Sequence, residues 1–559
     1  MKPAEPTPGT LTNRREWAFV AAMTAFGLGV RAWGLGRLGL VHFDEGIYAI
    51  AGLWPLGPGG IDPLVVPYAP AGFPLLVGLA YTILGPSDVA AILVSVATGT
   101  LAIPAAAWLA RRTFGPGAGA TVAALVAASG FHVAFSRMAL TDATFVLCWL
   151  VGLVLGQRFL ERPGAVTSIL LGAATGVAQL VKYSGWTLGV AVMITAATIT
   201  ALDSSRRTAS YQRRVWGWGS LAAVVAALAY APWFAFVESH GGYAALMAHH
   251  RGYVGSVGSW LPHWAHQLEQ MSILSGGFAW NLAACILTVA GVALVRGRVR
   301  TSRRAWLGIA SLAAAAVAAP TVLWWVGLAR LVFLGNGASP GLRLLGVAWV
   351  GLSILTPFYH PYARLWLPIQ ALGWVATAGL LASLIEPGMS AMTELRWNRV
   401  PLAVACCGAA LSQSLIASSV PIGAEASPGI LAPSDSLRLA TARLLKSLPE
   451  GKTGLRALVR PPFTFYYARG GGGVRVEGDL EGLLKNDDGS WVLVDLAQLR
   501  QSGDVARLQE RWETRATFPT WLNLPTRLDV DPGATAGARP EEADAPLWLM
   551  VPRGTGDPR

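Results

Sequence analysis

The sequence is poor in charged residues. Only 13% of its 559 residues are Asp, Glu, Lys or Arg, about half the share in soluble globular domains. A mean hydropathy of +0.47 and a 53% share of hydrophobic residues exclude an ordinary soluble domain. Apolar runs long enough to cross roughly 30 Å of hydrocarbon recur between residues 17 and 417. They predict a polytopic α-helical membrane protein.

Cysteine is also scarce, and its positions exclude a disulfide framework. All four cysteines lie within apolar runs, and none has the spacing of a zinc-ligand pair. We interpret them as small buried side chains. The N-terminus lacks a small-residue cleavage site, so we expect the first apolar run to be an uncleaved signal anchor. The cysteines are Cys148, Cys285, Cys406 and Cys407.

Acidic residues are outnumbered by basic ones, which gives a formal net charge of +12. The basic residues form short clusters between apolar runs, as cytoplasmic loops do under the positive-inside rule. We therefore expect the pI of about 9.9 to reflect membrane topology, and we expect no nucleic-acid partner. The clusters lie at 14–15, 111–112, 206–214, 296–304 and 396–399.

With these clusters as cytoplasmic ends, residues 1–417 are predicted to hold about 13 transmembrane helices. An odd number places the rest of the chain outside the cytoplasm. The apolar segment 71–85 is short and contains Pro74, so we interpret it as re-entrant or interfacial, and the parity depends on this choice. The predicted spans are 17–34, 88–109, 118–134, 142–159, 166–181, 184–202, 216–237, 272–295, 305–319, 321–335, 342–357, 364–385 and 400–417.

The pattern after residue 417 is that of a small α/β domain. One segment has the amphipathic spacing of a helix, and three short segments have the character of strands. We expect a small extracytoplasmic α/β domain at 418–530. Because Pro, Gly and acidic residues accumulate after it, we expect a flexible tail at 531–559. The helical segment is 437–448, and the strands are 455–459, 474–476 and 491–494.

Charged residues at the outer ends of the predicted spans form four motifs, of which the first is LVHFDEGIYAI at 40–50. Asp44 and Glu45 follow the first apolar run, and His42 and Tyr48 lie beside them. Carboxylates in this position either cap a short interfacial helix or take a proton from a substrate. The residue types alone leave both interpretations open.

The second and third motifs are SRMALTD at 136–142 and QLVKYS at 179–184. Arg137 and Asp142 fit helix capping and snorkelling as well as a role in a site. Lys182 lies in an outer hairpin, against the positive-inside trend. It either snorkels to the membrane surface or has an anionic partner such as a phosphate.

The fourth motif is PFYHPYARLWLP at 357–368. Arg364 has the planar guanidinium that pairs with phosphate, Tyr362 adds a hydroxyl donor, and His360 lies beside them. An aromatic belt at the membrane surface would also explain the tyrosines. It leaves Arg364 on the outer side without a reason.

Together and in this order, the four motifs resemble those of the multispanning glycosyltransferases that use lipid-phosphate sugars and have the GT-C fold. That group contains the protein O-mannosyltransferases and the aminoarabinose transferase of lipid A. The resemblance covers residues 10–390. It implies two catalytic residues, Asp44 and Glu45; four residues that bind the donor phosphate, Lys182, Arg364, Tyr362 and His360; and a supporting acidic motif, Arg137 with Asp142.

The resemblance implies transfer of a monosaccharide from a polyprenyl-phosphate donor to a hydroxyl acceptor, with inversion, on the extracytoplasmic face of a bacterial inner membrane. Asp44 would take the acceptor proton, and basic groups would stabilise the departing phosphate. We expect no required cofactor or metal, although Glu45, Asp142 and the histidines of the outer loop 238–270 leave a divalent ion open. Protein, lipid A, another glycolipid and a glycan all remain open as acceptors.

Other functional classes also use polytopic chains. A transporter or flippase of a lipid-linked or anionic substrate would carry charge near the bilayer midplane and inverted repeats, and the sequence shows neither. A receptor or assembly protein would not account for four charged motifs on one side. A pyrophosphate-linked oligosaccharide transferase resembles this architecture, but such enzymes need a metal and a larger external domain.

Overall fold

The computed structural model describes the chain in five parts. They are residues 8–54, 69–274, 339–385, 430–448 and 454–553, with gaps at 116, 472, 478, 486–489, 497, 500–504 and 531–545. The long elements of the first three parts are helices. They are α1 (Pro8–Ala32), α2 (Phe43–Ala51), α3 (Gly72–Leu84), α4 (Asp88–Phe114), α5 (Ala118–Ala128), α6 (Gly130–Ser136), α7 (Thr141–Glu161), α8 (Ala165–Val181), α9 (Thr187–Leu202), α10 (Ala209–Ser239), α11 (Gly242–Arg251), α12 (Trp260–Leu274), α13 (Pro340–Leu355) and α14 (Leu367–Ile385).

Several of these helices are suited to cross a membrane. Five are long and apolar enough, and α5 with α6 gives a sixth if the bent pair is one broken span. The chain is therefore a multi-pass membrane protein. The number of 13 spans stays a prediction, because four predicted spans lie wholly or largely outside the described residues. These four are 272–295, 305–319, 321–335 and 400–417.

Helix α3 is the apolar segment that the sequence analysis interprets as re-entrant or interfacial. Its 13 residues extend over about 20 Å, less than the thickness of the hydrocarbon core. Its first turn packs closely on the end of α8, where a Cβ on Gly72 would lie 2.6 Å from the carbonyl oxygen of Leu180. This contact requires glycine and holds α3 beside Lys182, which directly follows α8. That α3 does not cross the membrane stays a prediction.

A buried arginine stabilises a break between α5 and α6. The two helices meet at Ser129 with a bend of 61°, and such a bend frees carbonyl groups at the end of the first helix. The Arg31 guanidinium of α1 donates to the carbonyl oxygens of Val126 and Ala127 at 3.1 and 3.2 Å. It also contacts His132 Nδ1 at 3.0 Å. The cation therefore satisfies irregular backbone within the protein and does not face lipid.

The last two parts of the chain form a five-stranded mixed sheet, and we refer to residues 430–553 as the C-terminal domain. The strand order is β2-β1-β3-β5-β4. Strands β2, β1 and β3 are parallel, and β5 runs antiparallel to both β3 and β4. Its elements are α15 (Ser436–Ser447), β1 (Gly454–Leu458), α16 (Pro461–Arg469), β2 (Gly473–Val476), α17 (Leu480–Lys485), β3 (Val492–Asp495), α18 (Val505–Arg511), β4 (Trp512–Phe518), α19 (Leu524–Val530) and β5 (Leu547–Pro552).

Strand β5 lies within residues 531–559, which the composition predicts to be a flexible tail. The segment reads LWLMVP, pairs with two neighbouring strands and buries Leu547, Leu549 and Met550. The prediction of a flexible tail is wrong for this strand. Its few apolar residues were outweighed by the Pro, Gly and acidic residues around them, although a buried strand needs only four to eight.

The C-terminal domain packs on the loop between α1 and α2. The Tyr466 hydroxyl accepts a hydrogen bond from the backbone N–H of Leu40 at 2.7 Å and donates one to Asp88 at 3.0 Å. Arg460 donates to the carbonyl oxygen of Val41 at 2.8 Å. The domain therefore fixes the backbone that leads directly into the first charged motif.

Helices α2 and α16 also touch directly. The contact centres on Gly46, where a Cβ would lie 2.2 Å from the backbone nitrogen of Pro462. Only a residue without a side chain allows this approach. The C-terminal domain thus rests on the helix that carries Asp44.

Candidate active site

The first motif forms the N-terminus of α2, and its acidic residues have different environments. His42 is the N-cap residue, and its Nδ1 accepts a hydrogen bond from the Asp44 backbone N–H at 3.0 Å. Glu45 accepts from the backbone N–H groups of Val41 and His42 at 2.8 and 2.9 Å. Its other oxygen accepts from Ala139 N–H at 2.8 Å. Both Glu45 oxygens are therefore occupied by backbone donors.

Glu45 is fully buried and connects the first motif to the second. Burial raises the pKa of Glu45, while the three N–H groups favour its charged form. The geometry supports the capping interpretation for Glu45. It does not support the prediction that Glu45 acts directly on a substrate, because neither oxygen is available to one.

Asp44 points instead toward the fourth motif. Its Oδ2 accepts a hydrogen bond from Arg364 Nη1 at 2.7 Å, and its side chain keeps 31% exposure. Burial raises the pKa of Asp44, but the nearby cations, Arg364 first, lower it by more, and the net pKa lies below the ordinary value. Asp44 is therefore an ionised and accessible carboxylate.

Arg364 is shared between two carboxylates. Besides Asp44, it contacts Asp529 of the C-terminal domain, with 3.2 Å between Nε and Oδ2. Its guanidinium also lies 4.8 Å from the centre of the Tyr362 ring. Burial lowers the pKa of Arg364, but the two aspartates raise it well above its usual value. Arg364 is thus a permanent cation held on three sides.

His42 completes this cluster. Its Nε2 lies 3.3 Å from Asp529 Oδ2, and its Nδ1 accepts from the Asp44 backbone. Nδ1 is thus the acceptor of this ring, and Nε2 is the nitrogen that faces the Asp529 carboxylate. His42 therefore links the backbone of Asp44 to the side chain of Asp529.

Lys182 and Asp142 form a second ion pair in the site. Their side chains approach to 2.5 Å, and the Lys182 ammonium lies 5.7 Å from the centre of the Phe145 ring. From the sequence, Lys182 either snorkels to the membrane surface or has an anionic partner such as a phosphate; in this structure its partner is Asp142. Charge on Lys182 lowers the pKa of Asp44, which means that the two ion pairs influence each other.

The second motif separates into two functions. Arg137 donates from Nη1 to the carbonyl oxygens of Arg31 at 3.0 Å and Trp33 at 2.6 Å. It therefore caps the end of α1, a role that neither interpretation of the motif gives to Arg137. Among the described residues Arg137 has no acidic partner. Asp142, five residues on, is the member that belongs to the site.

The segment after α10 forms a wall of rings against the fourth motif. His360 N–H donates to the carbonyl oxygen of Tyr253 at 2.7 Å, and His250 Nδ1 lies 3.0 Å from the Tyr359 hydroxyl. The rings of Tyr253 and Tyr359 are stacked with centres 5.9 Å apart. His360 lies 4.4 Å from the Tyr362 ring. Tyr362 thus contacts Arg364, whereas His360 belongs to the wall behind it.

Burial lowers the pKa of His360, so this imidazole is neutral near pH 7. Burial likewise raises the pKa of Tyr359 to about 12 and raises that of Tyr362 further. These side chains therefore offer neutral hydrogen-bonding groups beside the cation Arg364.

Two of the residues left open for a metal are engaged elsewhere. Glu45 is fully buried and accepts three backbone N–H groups, and Asp142 pairs with Lys182. Among the residues that the structure describes, no three His, Cys, Asp or Glu side chains converge as ligands. The absence of a metal requirement stays a prediction.

Asp529 is the site residue that sequence reasoning missed. It lies in RLDVDPG, where several acids and a Pro-Gly pair resemble the start of a polar loop. Its signal is the short apolar segment LNLPTRL before it, most of which lies in α19. Arg460 and Asp88 were also missed, because their partners are distant in the sequence.

Comparison with known proteins gives one family-model match over part of the chain. The family model for dolichyl-phosphate-mannose-protein mannosyltransferases matches residues 68–236. This stretch contains Asp142 and Lys182, but neither Asp44 nor Arg364. No curated protein sequence matches the chain significantly.

Two solved structures are similar along most of the chain. One is ArnT from Cupriavidus metallidurans bound to undecaprenyl phosphate, with a TM-score of 0.56 and 14% identity, covering 99% of this chain and 100% of that one. The other is the Archaeoglobus fulgidus oligosaccharyltransferase in complex with Zn and sulfate, with a TM-score of 0.52 and 12% identity, covering 89% of this chain and 71% of that one. The fold is therefore GT-C, and the resemblance that the four motifs indicate is confirmed.

Proposed function

We propose that this chain is an integral-membrane glycosyltransferase that moves a monosaccharide from a polyprenyl-phosphate donor to a hydroxyl acceptor. The observation that carries the proposal is the Asp44–Arg364 pair, an accessible carboxylate at 2.7 Å from a buried cation. A general base beside a phosphate-binding cation is what this reaction requires. The Lys182–Asp142 pair adds a second cation to the same site.

The bond changes in this reaction assign one task to each group. The acceptor oxygen forms a bond to the anomeric carbon while the bond from that carbon to the phosphate oxygen breaks. Asp44 takes the acceptor proton, and the phosphate leaves with the bonding electrons. Attack from the face opposite the leaving group inverts the anomeric centre. Arg364 and Lys182 stabilise the charge that grows on the phosphate.

The cations must exchange partners for this to happen. Arg364 and Lys182 each pair with a carboxylate in the present structure. A lipid phosphate that binds both would replace Asp44 on Arg364 and Asp142 on Lys182. Asp44, once released, would be free to turn toward the acceptor.

The donor class has support from one comparison. The similar ArnT structure is bound to undecaprenyl phosphate, and the site here presents two cations where an anionic headgroup could sit. The wall formed by Tyr253, Tyr359 and His250 borders this site. It is the surface we assign to the acceptor, which is a protein hydroxyl, lipid A or another glycolipid or glycan.

The predicted topology supports a location in a bacterial inner membrane, with the site and the C-terminal domain on the extracytoplasmic face. The basic clusters then lie in the cytoplasm. The C-terminal domain and the first motif occupy the same side in any topology, because they are in direct contact through Arg460 and Tyr466.

The test is transfer of labelled sugar from a panel of polyprenyl-phosphate donors to a membrane extract. Asp44→Asn removes the base and should lower transfer by about 10² to 10⁴, since general-base help is worth that much. Glu481→Gln changes an exposed acid of the C-terminal domain and is the matched control. Transfer should be indifferent to a chelator. Equal transfer by Asp44→Asn and the wild type would contradict the role of Asp44.

A further inference from the structure

The C-terminal domain places a buried carboxylate in the site. The side chain of Asp529 is 2% exposed and lies in the last turn of α19. An acid there faces the negative end of the helix dipole, which is unfavourable unless cations or N–H donors surround it. The site provides them, because Arg364 Nε lies at 3.2 Å and His42 Nε2 at 3.3 Å.

The position of α19 is fixed by hydrogen bonds at its start and beside Asp529. Gln270 of α12 donates to the carbonyl oxygen of Leu528 at 3.0 Å. At the start of the helix, Asn523 Oδ1 accepts from the Thr526 N–H at 3.0 Å. The carboxylate is therefore held against Arg364 by the backbone of its own helix.

Asp44 and Asp529 hold Arg364 in different ways. Asp44 uses Nη1 and is 31% exposed, whereas Asp529 uses Nε and is almost completely buried. A ligand entering the site can therefore reach and replace the contact with Asp44. The contact between Arg364 and Asp529 is buried and can persist when a ligand binds.

The following inference rests on the proposed function and deepens it. We propose that Asp529 is a positioning residue that retains Arg364 through Nε when the donor phosphate replaces Asp44 at Nη1. Asp44 is thereby released to accept the proton of the acceptor. The exchange of partners at Arg364 is possible because the guanidinium has a second carboxylate that does not move.

Charge explains why a neutral residue would not serve. Asp529 offsets part of the positive charge on Arg364, which weakens the attraction between Arg364 and Asp44. Without that offset, Asp44 is held more tightly and its pKa falls, because a nearby cation favours the ionised carboxylate. A carboxylate with a lower pKa is a weaker base.

Asp529 also contacts His42. Its Oδ2 lies 3.3 Å from Nε2 of the ring whose Nδ1 accepts the Asp44 backbone N–H. The same carboxylate therefore lies against both the cation and the N-cap residue of α2. The other titratable groups that face Asp44 or Asp529 are Lys182, His249, Tyr48, Tyr359, Tyr362 and His360.

The experiment compares Asp529→Asn with Glu477→Gln in the full-length protein. Glu477 pairs with Arg456 and Arg475 inside the same domain and does not contact the site, so its variant controls for the loss of a carboxylate that holds two ion pairs. In Asp529→Asn we expect kcat to fall about tenfold and the acid limb of kcat/KM, which reports the free enzyme, to move to lower pH by roughly one unit. The donor KM should not rise. Asp529→Glu, which keeps the charge, should restore the position of the acid limb.

A merely structural role for Asp529 would give a different result. Transfer and thermal stability would fall together, and the acid limb would stay in place. An unchanged acid limb, or a higher donor KM at unchanged kcat, would overturn the inference.

A measurement on the wild type keeps the inference testable if Asp529→Asn does not fold. Carbodiimide labels carboxyl groups in their protonated form. Polyprenyl phosphate should speed the labelling of Asp44 at mildly acidic pH, because Arg364 no longer depresses its pKa. Asp529 should stay unlabelled. Equal labelling of Asp44 with and without the lipid would overturn the inference.

The proposed function and the role of Asp529 can be refuted independently. If the wild type transfers no sugar from any polyprenyl-phosphate donor, the proposed function fails. If the wild type transfers sugar and Asp529→Asn behaves as Glu477→Gln does, the proposed function stands and the role of Asp529 is wrong.

Discussion

At the scale of single residues, two neighbouring carboxylates have opposite tasks. Asp44 faces a cation and keeps access to solvent, whereas Glu45 is enclosed by three backbone donors. The sequence predicts that an acidic pair matters in this loop. It could not separate the two acids, because the Ala139 N–H that occupies Glu45 comes from a different part of the chain.

Glu45→Gln is expected to damage stability more than it damages chemistry. The amide can accept through one oxygen only, and its NH2 group would face a backbone donor. A buried donor left unsatisfied costs about 1–3 kcal/mol. The free energy of unfolding should fall by that amount in a detergent-solubilised thermal or denaturant titration.

Asp44→Asn is the comparison for that variant. Asp44→Asn removes a partly exposed ion pair, and Arg364 keeps its other partner, Asp529. The midpoint of unfolding of this variant should therefore stay close to that of the wild type while transfer is lost. If Glu45→Gln instead kept its stability and lost transfer as Asp44→Asn does, Glu45 would be catalytic after all.

At the scale of elements, the short helix α2 depends on what packs against it. Its cap comes from His42, and its outer side is covered by α16 of the C-terminal domain. Local sequence rules predict a helix start here, since acids are favoured in the first turn, but not that His42 is the cap. They do not predict the glycine contact, because Pro462 lies far along the chain.

Gly46→Ala should separate α2 from α16. The added Cβ would meet the backbone nitrogen of Pro462 at 2.2 Å, and backbone cannot move aside as a flexible side chain can. Overpacking of this kind costs about 1–3 kcal/mol. We expect a lower midpoint of thermal unfolding and reduced transfer, since α2 carries Asp44.

The matched control is Gly29→Ala in α1, where no atom lies within 4 Å of an added Cβ. Alanine favours the helix there by roughly 0.5–1 kcal/mol. Gly29→Ala should therefore leave transfer intact. Equal behaviour of the two variants would show that the contact at Gly46 is not needed.

At the scale of the whole molecule, the site is assembled from parts that are distant in sequence. Asp44 and Arg364 are 320 positions apart, and Asp529 follows much later. The sequence predicts the helical membrane region and most of the charged residues, since hydropathy and the positive-inside rule act locally. It does not predict which acid meets which cation, because that depends on how helices and domain pack.

The C-terminal domain should be required for transfer. Ending the chain after residue 545 removes β5, which lies between β3 and β4 in the sheet. We expect the domain to become sensitive to proteases and transfer to be lost, because Asp529 and Arg460 lose their support. Ending the chain after residue 553 keeps β5 and serves as the control. Full transfer by the shorter chain would contradict a site shared with the domain.

The buried arginine in α1 has a consequence for biosynthesis. Its carbonyl partners, Val126 and Ala127, follow it by 95 and 96 positions. The ribosome therefore delivers a charged first span well before the broken helix that accommodates the charge exists. We expect α1 to stay near the membrane surface, with the Arg31 guanidinium in water or among lipid headgroups, until α5 and α6 have been synthesised. The order of synthesis thus sets the order in which this bundle can close.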